Sequence, residues 1–217
     1  MAYRRTQQIE QRLAGKRQRI LQAVRKVVAE VGFRDAQIST VAAAAGVATG
    51  TVYRYFPSKS ELFAEALAAH SQQELDVIAA IGTADDTPVA RLEASVRAFA
   101  SRALKGRRIA YAMIAEPVDA EVDSTRLEYR RAFGRLFRQL IDQGVAAGEL
   151  PAQNSEATAA CVFGALTEGL IGPLAPGAAR ATQESRLIDT IVTFCLGAVG
   201  ARAATITKLR PIKGGRA

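Results

Sequence analysis

Apolar residues recur three and four positions apart along almost the whole chain, a period that belongs to α-helices packed on one face. Ile20, Val24, Val27, Val28 and Val31 follow it, with Arg19, Arg25, Lys26 and Glu30 on the other side. Val96, Phe99 and Ala103 repeat it, as do Leu127, Phe133, Leu136, Phe137, Leu140 and Ile141, and then Leu187, Ile188, Ile191, Val192 and Cys195. No strict alternation flanked by hairpin turns interrupts the pattern, so a sheet is not expected. Turn signals separate the segments: Gly32, Gly46, Pro57, residues 82–88, Lys105-Gly106, Glu116-Pro117, residues 144–151 and residues 172–177. The expected fold class is all-α, with about nine helices.

Charge divides the chain further. The 217 residues carry 29 Lys or Arg against 21 Asp or Glu, a formal net charge of +8. Residues 1–60 hold 11 bases and 3 acids, residues 61–201 hold 13 and 18, and the last 16 hold five bases with no acid. A basic head on a mildly acidic body fits a polyanion-binding module joined to a domain with another task. Lys and Arg that merely solvate a surface are the plainer alternative. No run approaches the 18 uninterrupted apolar residues of a membrane span. Arg4, Arg5, Arg12, Lys16, Arg17 and Arg19 leave no apolar stretch suited to a signal peptide. Cys161 and Cys195 both stand in apolar surroundings and give no disulfide framework, so a reducing, cytoplasmic setting without a membrane partner is expected.

Enzyme chemistry finds little purchase. His70 is the sole histidine, so no His-based triad or multi-His metal site can form within one chain. There is no Gly-rich phosphate loop, and Asp85-Asp86 sits in a loop without a partner signature. Neither an enzymatic activity nor a cofactor or metal is expected.

The head has the grammar of a helix-turn-helix. A long helix is followed by a short one from Ile38 to Ala45, a tight turn at Ala45-Gly46-Val47, and a second short helix from Thr49. That second helix carries Thr51, Tyr53, Arg54 and Tyr55, while Val47, Val52 and Phe56 turn inward onto Ile38, Val41 and Ala42. Its free N–H groups and dipole favour an anion such as a phosphate. Pro57-Ser58 closes it and opens the next helix, where Ser58 and Glu61 form a capping-box pattern ahead of Leu62, Phe63, Ala66 and Leu67.

The stretch G-F-R-D-A-Q-I-S-T-V-A-A-A-A-G-V-A-T-G-T-V-Y-R-Y-F-P-S-K-S-E-L-F, residues 32–63, resembles the DNA-binding region of the TetR family of bacterial transcriptional regulators. The likeness spans residues 16–65 and is most specific from Gly50 onward; beyond it only the helical layout agrees. It implies a helix-turn-helix domain with an N-terminal arm over residues 1–57, and a helical ligand-binding and dimerisation domain over residues 58–217. By the same resemblance Thr51 and Tyr53 hold the DNA backbone, Gly50 and Arg54 face base edges, Lys59 meets a phosphate, and Tyr55 falls among the contacts. Thr49 stands where the family often has Lys, and Ala48 where it often has Ser, so the usual N-cap is lost unless Thr49 caps one residue later; Thr49 is counted with the DNA contacts. Ala36 replaces a common capping Thr, leaving Asp35 as a substitute cap. Residues 1–17, with five bases, are either an arm for the minor groove or a disordered solubilising tail.

One short recognition helix reads too few bases to select a site, so a homodimer on palindromic double-stranded DNA is expected. The last two helices are apolar all round, and similarity to the family implies that they form the dimer interface, with Ala160, Gly164, Ile188, Ile191 and Cys195 as candidates. An effector cavity is likewise implied for the middle helices, lined by Phe99, Tyr111, Met113, Phe133, Phe137, Phe163 and Thr167. Arg97, Glu116 and Glu168 are polar candidates for orienting an effector, and Arg102, Lys105, Arg107 and Arg108 for meeting an anionic group. Plain core packing and solvated charge are the competing readings of all of these. The function expected is a sequence-specific DNA-binding regulator: a repressor released from its operator by a small, largely apolar effector, with the helix from Ser58 as the lever. An activator or co-repressor-dependent regulator of the same fold, or a ligand-binding protein with a non-functional head, are the alternatives.

Overall fold

A computed structural model describes residues 2–178 and 184–201, with side chains from residue 13 on. Among the described residues there are nine helices and no strand. They are α1 (Ala2–Asp35), α2 (Ile38–Ala45), α3 (Thr49–Tyr55), α4 (Lys59–Gly82), α5 (Pro88–Lys105), α6 (Arg107–Ile114), α7 (Ala120–Ala146), α8 (Ser155–Leu174) and α9 (Glu184–Ala198). Most turn signals in the sequence fall at the ends of these helices, but Gly32 lies inside α1, and Gly172 and Pro173 lie within the last turn of α8. Arg202, Lys208, Arg210, Lys213 and Arg216, the basic C-terminal stretch, lie outside the described residues.

The chain forms two compact units, one of residues 1–73, 106–129 and 174–176, the other of residues 74–105, 130–173 and 177–217. Helices α4 and α7 each contribute to both. This division by compactness differs in kind from the division of tasks expected at residue 57.

In the first unit Ile20, Val24, Val27 and Val28 of α1 are buried with Val41 and Ala42 of α2, Val52 of α3 and Leu62 and Leu67 of α4. Ala112 of α6 and Val122 of α7 complete that core, so two helices distant in sequence belong to the head's packing. Burial of this many Val, Ile and Leu side chains, at roughly 1.5–3 kcal/mol each, is what holds the short helices in place.

Gly32 interrupts α1 at φ 82°, ψ 178°, a backbone region open in practice to glycine alone, and one further turn follows to Asp35. That extra turn corrects the capping expectation. Asp35 still belongs to α1, and α2 starts at Ile38 behind Gln37, whose side chain makes no capping bond. Thr49 does not cap either: it is the first residue of α3, and extended Ala48 precedes it without a side-chain cap. Ser58 does cap α4, its Oγ accepting the Glu61 N–H at 2.9 Å. Residues 2–17, read as an arm or a tail, have helical backbone continuous with α1, in keeping with their Gln, Glu, Arg and Ala content.

Gly46 makes the turn of the helix-turn-helix. It is left-handed at φ 65°, ψ 40°, and its N–H reaches Ala43 O at 3.1 Å while the Val47 N–H reaches Ala42 O at 3.0 Å. Together these bonds close α2 with a Schellman motif and turn the chain into α3.

In the second unit α5 packs along α9, tied by Arg97 to Asp189 at 2.8 Å, and Arg102 of α5 forks onto Glu74 of α4 at 2.6 and 2.8 Å. Helix α8 buries Ala159, Val162, Leu166 and Leu170. By length and composition α8 alone among the described helices could cross a bilayer, but the side it buries is packed into this unit.

Replacing Gly32 by Ala tests the α1 kink. A Cβ there would meet Glu116 Oε1 at 2.5 Å and Arg108 Cζ at 2.6 Å, besides imposing the forbidden φ. The expected loss is about 2 kcal/mol or more of unfolding free energy, read by urea denaturation, whereas an exposed Ala exchange leaves the midpoint nearly unchanged.

Candidate nucleic-acid interface

A seven-residue helix is too short to be stable alone, so α3 depends on what it buries. Val52 and Phe56, 1% and 0% exposed, anchor it in the head core, and the Phe56 N–H closes its end on Val52 O at 3.0 Å. That footing turns Thr49, Gly50, Tyr53 and Arg54 outward as exposed residues, with Thr51 half-buried beside them. Tyr53 keeps 47% of its surface open, unusual for a ring and suited to lying against a backbone. Gly50 has no atom within 4 Å of where a Cβ would stand. The glycine, which weakens a helix by about 1 kcal/mol, therefore has no packing reason inside the chain and leaves room for close approach from outside.

The remaining candidates divide. Lys59 is exposed at the start of α4, its Nζ 5.1 Å from the centre of the Phe63 ring. Tyr55 faces the other way: it packs against the head core and its hydroxyl is enclosed, while the Arg54 guanidinium lies 5.7 Å from its ring centre. Its ring supports Arg54 from beneath. Arg17, counted with the N-terminal arm, lies over the Phe56 ring at 4.7 Å and pairs with Glu65, so it braces the junction of α3 and α4.

Two carboxylates of the first unit bond to the helices on either side of α2 and α3. Glu116, weighed as an effector-orienting group, is 4% exposed and accepts the Phe33 N–H at 2.9 Å and the Arg34 N–H at 3.4 Å. Asp119 takes the Ser60 hydroxyl on Oδ2 at 2.7 Å and the Val122 N–H on Oδ1 at 3.1 Å. Burial pushes the Asp119 carboxyl up, but these bonds, the Glu121 N–H and the Lys59 charge outweigh it and leave it below the usual carboxylate range. An Asp just before a helix is a legible cap. Its bond to a residue 59 positions away is not.

In the second unit four phenylalanines converge. Phe133 stacks on Phe163 at 5.1 Å, Phe99 meets their rings edge-on at 5.5 and 5.7 Å, and Phe137 lies 6.1 Å from Phe163. Thr167, buried one turn along α8, donates its hydroxyl to Phe163 O at 3.0 Å. Tyr111 and Met113 belong to the other unit, and Met113 packs on the head core. Arg97 is engaged by Asp189 and Glu93, and Glu168 is exposed. Arg102 pairs with Glu74 in the second unit, and Arg108 with Glu116 in the first. Of the dimer candidates, Ala160 is exposed and Gly164 and Ile188 half-exposed, whereas Ile191 and Cys195 are buried within their own protomer. Burial holds the Cys195 thiol protonated, its pKa raised to about 11.

The profile of bacterial regulatory proteins of the tetR family matches residues 20–66, and that of the tetracyclin repressor-like C-terminal domain matches residues 85–168. The chain belongs to the TetR family. Its similarity to the transcriptional repressor KstR of Mycolicibacterium smegmatis is 28% identity over 188 residues, covering 84% of this chain and 87% of the relative. Over 53 residues, 24% of this chain and 25% of the relative, it is 47% identical to the repressor KstR of Rhodococcus jostii. The fold agrees with that of the transcriptional regulator FadR of Bacillus subtilis, solved with stearoyl-CoA, at a TM-score of 0.73, 18% identity, and coverage of 84% and 98%. This TetR-family chain is therefore a DNA-binding transcriptional regulator.

Three substitutions test the surface. Arg54→Ala should relax discrimination between operator and random DNA, by about 1–3 kcal/mol if its guanidinium pairs with guanine; an equal loss on both would assign it to phosphate. Lys59→Ala should weaken all duplexes and flatten the log–log salt slope by about one unit. For Asp119, a lowered folded pKa means stability present above the ordinary carboxylate range and lost as the pH falls through the depressed value. Asp119→Asn should therefore lower stability at neutral pH and flatten the acid limb of a denaturation profile.

Proposed function

We propose that this regulator is a repressor which binds an inverted repeat as a homodimer and is released by a small, largely apolar effector. The observation that carries the reading is α3: a helix pinned by Val52 and Phe56 that holds Thr49, Gly50, Tyr53 and Arg54 open to solvent. Those four residues, with Thr51 and Lys59, are the proposed DNA contacts, and residues 1–57 the DNA-reading portion.

Residues 58–217 are assigned to effector binding and dimerisation. The outer side of α8 and α9 presents Ala157, Ala160, Cys161, Gly172, Phe194 and Ala198 to solvent, with Phe194 62% exposed. An apolar face of this kind on a water-exposed protomer favours a second copy. Ile191 and Cys195 would support that face from within their own protomer.

Phe99, Phe133, Phe137, Phe163 and Thr167 are the proposed effector lining. Four aromatic rings and a hydroxyl already bonded to its own helix favour an apolar molecule. The stearoyl-CoA bound by the FadR relative is one chemistry that suits such rings. Release requires that the effector bind the DNA-incompetent state more tightly; a hundredfold relief corresponds to about 2.7 kcal/mol of differential binding. Helices α4 and α7, which contribute to both compact units, are the proposed carriers of that difference. Action on DNA places the protein in the cytoplasm.

Selection of bound fragments from genomic DNA, followed by footprinting, tests the proposal. An inverted repeat protected by a dimer, and released by a member of a panel of apolar acids, acyl-CoA thioesters and cationic drugs, is the expected result. A strictly monomeric protein, or one that prefers no sequence in moderate salt, would overturn it.

A further inference from the structure

The short segment between α6 and α7, residues 115–119, is bonded to both helices that flank the helix-turn-helix. Glu116 accepts the Phe33 and Arg34 N–H groups at 2.9 and 3.4 Å, the first two amides past the Gly32 kink. Asp119 accepts the Ser60 hydroxyl at 2.7 Å in the first turn of α4 while its other oxygen caps α7. Thus one carboxylate grips the helix that leads into α2–α3, and the other grips the helix that leads out.

The segment is itself held from behind. Arg126 of α7, its side chain 12% exposed, donates to Met113 O at 3.0 Å, Ala112 O at 3.2 Å and Glu116 O at 2.8 Å. It thereby satisfies carbonyls at the end of α6 that the helix leaves open. Arg108 of α6 pairs with Glu116 at 3.4 Å and donates to Val31 O, so the buried carboxylate is neutralised locally. Gly32 completes the fit, since any Cβ there would run into Arg108 and Glu116.

We propose that residues 116–119 form a two-carboxylate clip that sets how α3 is presented to DNA, with Glu116 and Asp119 as its positioning residues. The inference rests on the chain being a DNA-binding regulator, and it adds where the orientation of the reading helix is fixed. A carboxylate on two backbone N–H groups in a buried setting is a charge-assisted, directional bond, stiffer than apolar packing. Apolar packing can slide by an ångström; this bond pair cannot without breaking. Movement of α6 or the start of α7 would therefore be passed to both ends of the helix-turn-helix.

The test uses full-length protein, an operator selected by the wild-type protein itself, and an unrelated duplex of equal length. Glu116→Gln, Asp119→Asn and Ser60→Ala are compared for affinity on both duplexes over a salt series, together with amide exchange at Phe33 and Arg34. Expected for Glu116→Gln is a loss of about tenfold in operator affinity. Affinity for the unrelated duplex and the salt slope should stay at wild-type values, and exchange at the two amides should quicken. Ser60→Ala leaves the Asp119 cap of α7 in place and should show a smaller loss confined to the operator, which keeps the proposal testable should Glu116→Gln fail to fold. Operator binding unchanged in all three variants, or lost in equal proportion on both duplexes, overturns the clip while leaving the regulator reading intact. A wild-type protein that selects no sequence overturns both.

Discussion

Helix nucleation is costly, and α3 has only seven residues with which to meet that cost. The helix proposed to read DNA is consequently an element that exists because two of its side chains are buried. Val52 and Phe56 occupy the inner side of α3, and the same core includes Ala112 and Val122, from helices far along the chain. The outward residues are then displayed as a consequence of the inward ones.

That dependence explains why polar bonds appear in the first unit where packing alone would serve stability. Apolar burial is non-directional and specifies proximity. Angle needs directional groups. Glu116 on the Phe33 and Arg34 amides, Asp119 on Ser60, Arg126 on the end of α6 and Arg17 between Phe56 and Glu65 supply them. Each joins residues of different elements in the same unit. The second unit shows the opposite balance: a cluster of phenylalanines, an exposed apolar side of α8 and α9, and ion pairs at the margin of α5. The first unit is rich in directional bonds between its elements, the second in clustered and exposed apolar side chains.

Much of the head was legible because its signals are local. The three-and-four spacing of Ile20, Val24, Val27 and Val28, the left-handed Gly46, the Ser58 cap and the inward Val52 and Phe56 all depend on neighbours within a turn or two. Capping was misjudged where one turn of α1 survived Gly32, because a kink and a stop look alike in sequence. Tyr55 follows the family pattern by letter, yet its position on the helix brings the ring onto the core. Arg102 and Arg108 sit close in sequence, yet Gly106 parts α5 from α6 and each Arg finds a carboxylate in its own unit, a pairing no spacing announces.

By itself the sequence determined the all-α class, the order of the helices, the helix-turn-helix and its outward residues. Periodicity, glycine and proline act within a few residues, so their meaning survives without coordinates. Only the tertiary structure decided that α6 and the start of α7 belong with the head, that Glu116 serves backbone amides 83 and 82 positions away, and that Ile191 and Cys195 are interior. Those outcomes depend on which surfaces meet once the chain has closed on itself. A carboxylate carries no mark in sequence of the amide it will find.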